Sequence, residues 1–150
     1  MDLKEEIARR RKEQWFELLF SVDVMSGNKE AAENALKEHI EKIEKSPGIF
    51  VYEKKMYDVR EIPNPMKGVE KGYSQAVTLR LFIKDLYTAL TAIMLYGPSS
   101  VEVLGPSRKE VRIDEMQNIA NNVASLVHQF AAAGFGGMVI STPHRKEGKD

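Results

Sequence analysis

Two stretches of this sequence carry no charged side chain, Leu86 to Val101 and Met116 to Pro143, although Asp, Glu, Lys and Arg make up 29% of the chain. A helix face in contact with water normally carries such residues, so both stretches are expected to lie against protein. The second is long enough to span a bilayer. Asn121, Asn122, His128 and Gln129 would then sit in hydrocarbon, and Gly134, Gly136 and Gly137 would interrupt the helix. Cover by protein is therefore expected, and no membrane partner.

Elsewhere the charges balance. The 22 Lys and Arg residues cancel the 22 Asp and Glu residues, so no net field draws the chain toward nucleic acid, an anionic membrane or an acidic substrate. A length of 150 residues with 43% apolar content suits one domain with a sizeable core. The absence of cysteine excludes disulfides, thiolate nucleophiles and cysteine-held metal centres, and a cytoplasmic location is expected. Met1 to Glu6 lacks the apolar run of a secretory signal.

Periodicity divides the chain into elements. Leu3 and Ile7 indicate a short amphipathic opening helix. From Trp15 to Val24 the pattern switches to alternation, with Phe16, Leu18, Phe20, Val22 and Val24 opposite Trp15, Glu17, Leu19, Ser21 and Asp23, which predicts a first strand. A turn with a possible cap at Ser26 to Asn28 precedes a helical stripe of Ala31, Ala32, Ala35, Leu36, His39, Ile40 and Ile43, ended by Ser46-Pro47-Gly48. Ile49 to about Val59 predicts a second strand whose two faces are not distinct. Pro63, Asn64, Pro65, Gly68 and Gly72 mark a long connection over residues 60–72. Tyr73 to Ile83 alternates strongly as a third strand, and Asp85 is placed to cap a helix from Leu86 to Tyr96 that is apolar almost all round. Ser100 to Leu104 predicts a fourth strand, with a short extra one at Val111 and Ile113. Asp114 is then expected to cap a closing helix whose stripe of Met116, Ile119, Ala120, Val123, Leu126, Val127 and Phe130 ends near Gly134.

This order predicts an α+β fold: a ferredoxin-like βαββαβ antiparallel sheet with two helices on one face, an N-terminal helix and an extra C-terminal helix. Residues 1–143 are expected to form a single domain and 144–150 a flexible tail. The second sheet face would present Trp15, Leu19 and Phe82, more apolar surface than a monomer usually leaves wet. Together with the two uncharged helices, it predicts a homo-oligomer.

The run Tyr96-Gly97-Pro98-Ser99-Ser100-Val101-Glu102-Val103-Leu104, followed by Asp114 to His128, resembles a small group of uncharacterised archaeal proteins, compact α+β domains with no assigned activity. The resemblance covers about the last third of the chain, and it implies no catalytic residues. The Lys- and Glu-rich helices and the scarcity of Gln and Asn fit a thermophile's composition.

The most distinctive polar feature lies on the closing helix. Asn118, Asn122, Ser125 and Gln129 recur near i, i+4, i+7 and i+11, with Asn121 and His128 on an adjacent side. Such an uncharged row can grip a small polar ligand in a cleft between subunits, and His128 could move a proton in an enzyme built there. No carboxylate lies nearby in sequence to orient that imidazole, so mutual satisfaction across a subunit contact is the preferred reading and no catalytic residue is assigned.

Other motifs point to ordinary roles. Gly134-Phe135-Gly136-Gly137 follows a helix and meets its negative end, which favours helix termination over a phosphate cradle. His39, His128 and His144 have no metal-ligand spacing, so neither metal nor cofactor is expected. Ser99, Ser100 and Ser107 lack the Gly-x-Ser-x-Gly context of a nucleophile. The RNA-recognition fold shares the expected strand order, and Trp15 beside Arg9-Arg10-Arg11-Lys12 could stack on a base. The third strand lacks the RNP1 pattern and the basic run is flanked by Glu5, Glu6 and Glu13, so a solvated helix face is preferred to an RNA contact. The expected function is that of an oligomeric small-molecule-binding or regulatory domain, with an enzyme using His128 and an RNA-binding module as alternatives.

Overall fold

Leu18, Phe20 and Val22 alternate inward along the first strand, and the third strand answers with Val77, Leu79, Leu81 and Ile83, all buried. These two strands form the centre of a sheet in a computed structural model that describes residues 2–134. The elements are α1 (Leu3–Lys12), β1 (Phe16–Ser26), α2 (Lys29–Glu44), β2 (Ile49–Met56), β3 (Arg60–Met66), β4 (Val69–Ile83), α3 (Leu86–Tyr96), β5 (Ser100–Gly105) and α4 (Ile113–Ala132). They fall into two units, the first reaching Glu110 and the second starting at Val111. The 144–150 tail, Met138 to Ile140 and the glycines after Gly134 lie outside the described residues.

In the first unit the sheet runs β2-β4-β1-β5, with β3 also paired to β4, and every pairing is antiparallel. Leu36, Ile40 and Ile43 of α2 and Ala89 and Ala92 of α3 join the inward strand residues in one core cluster, so both helices pack on the same sheet face. Burying each of the larger aliphatic side chains contributes about 1.5–3 kcal/mol. Local chemistry sets the helix starts as expected: Asn28 Oδ1 accepts from Ala31 N at 2.7 Å, and Asp85 Oδ1 from Thr88 N at 2.8 Å. α3 ends where Gly97 takes φ +54°, a left-handed conformation that favours glycine.

The structure corrects four expectations. Residues 60–72 are no long loop: β3 continues along the edge of β4 below β2, and β4 starts at Val69 rather than Tyr73. Pro63 and Pro65 are tolerated there because an edge strand need not donate every amide. Val111 and Ile113 form no extra strand, since Ile113 opens α4. The N-cap of α4 is Arg112 with no side-chain cap bond, while Asp114 accepts from Glu115 N and from Arg112 inside the first turn. Finally, α3 is covered less fully than its apolar circumference implied: Ala89 and Ala92 are buried, but Leu95 is 68% exposed.

Phe82, expected on an open face, is fully buried. Tyr52 lies on it with ring centroids 5.1 Å apart, Phe50 pairs with it in register, and Arg10 of α1 reaches over Phe50 and Trp15 at 5.2 and 4.4 Å. Part of the cover of this face thus comes from the opening helix of the same chain. Among the described residues no helix is long and apolar enough to cross a membrane.

Candidate functional site

A bulge in β2 helps to build a polar cluster in the first unit. Val51 pairs with Leu81 and Glu53 with Arg80, leaving Tyr52 as the extra residue between them. The bulge turns Tyr52 and Glu53 toward the same side of the sheet, and the residues beyond it exchange faces. This is why the two faces of β2 are not distinct in the sequence. Glu17 of β1 lies across from Phe82, beside Tyr52.

Three hydrogen bonds hold the Glu17 carboxylate. Arg11 Nε donates to Oε1 and Nη2 to Oε2, both at 3.0 Å, and the Tyr52 hydroxyl donates to Oε2. The paired bonds from Arg11 hold the carboxyl below its ordinary range against the opposing effect of burial. Burial, and then the bond to Glu17, raise the Tyr52 phenol. The bond between Arg80 and Tyr52 raises the Arg80 guanidinium, whose Nε also lies 3.3 Å from Glu53. A carboxylate so neutralised is a poor proton acceptor at neutral pH. Its role is to pin the end of α1 to the sheet.

The same pairing occupies the basic run. Arg9 and Arg10 both approach Glu6, at 2.9 and 3.7 Å, Arg11 holds Glu17, and Trp15 lies under Arg10. Trp15 and the three arginines considered for RNA stacking are engaged with their own chain. His39 is half-buried, with Nε2 2.8 Å from Tyr96 O and its ring edge-on to Tyr96, a core-margin role.

In the second unit α4 carries every residue of the predicted polar row. Asn118, Ser125, His128 and Gln129 are exposed and Asn122 is half-buried. Gln129 Nε2 donates to Ser125 Oγ at 3.3 Å, and Gln117 Nε2 to Asn121 Oδ1 at 3.5 Å, both one turn apart. No carboxylate bonds to His128 among the described residues, and none of them group as three or more metal-ligating side chains. Beside the row, Ile113, Met116 and Val123 are 84%, 55% and 43% exposed, while Ile119 is buried.

Sequence reasoning passed over the Glu17 cluster. Its one signal was a glutamate between Trp15 and Leu19 on a largely apolar strand face, six residues after an arginine.

Among the described residues these features define a small α+β protein with a five-stranded antiparallel sheet and an amphipathic helix α4 that carries no charge after Glu115. Residues 17–147 match the MJ0538 family, and the chain belongs to that family. The match extends far beyond the last third that carried the resemblance. No curated protein and no solved structure matches the chain.

Proposed function

We propose that this chain is a small-molecule-binding or regulatory domain that works as a homo-oligomer, with a cleft for a small polar ligand where copies meet. The supporting observation is the exposure of Ile113, Met116 and Val123 on α4, which has no charged side chain from Met116 to its end. Exposed apolar surface on such a helix marks an interaction site. Beyond the N-cap and first turn, where Arg112, Asp114 and Glu115 lie, a charged partner would find no complementary charge on the helix. A second α4 brings the same apolar stripe and neutral row, self-complementary about a two-fold axis. Asn118, Asn122, Ser125, His128 and Gln129 then face the bound molecule with groups able both to donate and to accept.

The wider setting is of a piece with this reading. With β3 taken as an insertion at the edge of β4, the other strands lie in the order second, third, first, fourth, which supports a ferredoxin-like fold. The absence of cysteine supports a cytoplasmic location.

A thermal-shift screen of nucleotides and polar metabolites tests the site, since a ligand selective for the folded state raises the melting temperature by mass action. At least one compound is expected to protect the wild type and to protect an Asn118→Ala/Gln129→Ala variant less than half as much. Equal protection of both proteins, or protection by no compound, contradicts the proposal.

A further inference from the structure

The two edges of the sheet are finished differently. On the β2 and β3 side the backbone is guarded against stray strands by the bulge at Tyr52, by Lys54 and Lys55, and by Pro63 and Pro65. At the other end stands β5, which pairs with β1 alone among the described residues. It holds no lysine, arginine or proline, and its one charge is Glu102. Its bulge comes only at Leu104, past the regular pairing of Ser100 to Val103. Because alternate residues of a strand send their N–H and C=O to opposite sides, half of the backbone groups of β5 point away from β1.

The side chains of β5 are left open in the same way. Val101 lies across from Phe20 and Val103 from Leu18, both buried in the core, yet the two valines are 37% and 62% exposed. The apolar layer of the sheet therefore continues onto β5 without full cover. Leu95, near the end of the helix that leads into β5, is also exposed, and no charged side chain occurs from Leu86 to Val101. A strand edge with free amides and exposed apolar side chains is a template for another strand.

The occupant that fits is a second copy of β5. An antiparallel edge is complementary to itself about a two-fold axis, each donor meeting an acceptor of the other copy. With the axis at Val101, that residue meets its own twin, and Ser100 meets the partner's Glu102, to which its hydroxyl can donate. An axis at Glu102 would instead set two carboxylates face to face. Six residues are too few to join two copies by themselves. The inference therefore rests on the association proposed through α4, which holds one edge at a high effective concentration for the other. We infer that in the assembled protein β5 pairs with β5 of a second copy, antiparallel about Val101, so that one sheet runs through both.

The test uses the full chain. At the β5 amides that point away from β1, exchange followed by NMR is expected to be about tenfold slower in the wild type than in Met116→Lys/Val123→Lys, with the centre of β1 alike in both. The sequence has no cysteine, so Val101→Cys gives a second reading. Mild oxidation is expected to link it into a covalent dimer, whereas Lys55→Cys on the guarded edge is expected to stay largely unlinked. An assembled wild type whose β5 amides exchange as fast as in the α4 variant, or a Val101→Cys protein that links no more than Lys55→Cys, would overturn the inference and leave the α4 proposal standing. Equal protection of β5 in both proteins would show that the edge is covered within one chain and would also overturn it. A wild type of single-chain mass would overturn both readings.

Discussion

Glu17 shows how one side chain can set the conditions under which the fold holds. Its carboxyl is held below the ordinary glutamate value of 4.5 by Arg11, so its contribution is complete above that value and is lost as pH falls through the folded-state value. Glu17→Gln is expected to cost about 1–2 kcal/mol at neutral pH, at the lower end for a charged hydrogen bond because Arg11 is largely exposed. In urea titrations the gap between variant and wild type should narrow as pH drops below 4.5. A gap that stays constant into acid would show that the cluster is not what loses its charge. From the sequence Glu17 could be read only as a member of an alternating face and Arg11 only as part of a basic run, while the faces of Tyr52 and Glu53 were not distinct. Their meeting depends on a bulge at Tyr52, and a bulge shifts one strand by a residue without a composition signal of its own.

At the scale of elements, legibility followed the steadiness of the hydrophobic period. β1, α2 and α3 emerged near their observed bounds because each has a repeating apolar face and a capping or breaking residue at its ends. β3 did not. Two prolines, an asparagine at φ +48° and a glycine at φ +85° make Arg60 to Gly72 look like a loop, whereas its strand character comes from the long β4 beside it. Gly72 allows this pairing, because a Cβ there would lie 2.9 Å from Pro65 Cγ, and a proline ring has little room to yield. Gly72→Ala is expected to destabilise by about 1–3 kcal/mol, as overpacking does. It should speed amide exchange in β3 while leaving the centre of β1 protected; unchanged exchange in β3 would contradict the packing described.

For the molecule as a whole, the two uncharged stretches proved to have different surroundings. α3 lies partly against the core through Ala89 and Ala92, whereas α4 buries Ile119 and leaves its other large apolar residues partly or largely exposed. The candidate polar row was legible because helical spacing alone aligns Asn118, Asn122, Ser125 and Gln129. The free edge of β5 was not, since only the pairing of the strands shows which of them stands last in the sheet. Association through α4 is the claim on which the proposed cleft depends. Light scattering after size exclusion, over a range of concentrations, tests it most directly. The wild type is expected at two or more times 17.0 kDa, with Met116→Lys/Val123→Lys falling to the single-chain mass while keeping its circular dichroism. A wild type that stays at 17.0 kDa at every concentration, or a variant that assembles as the wild type does, would contradict it.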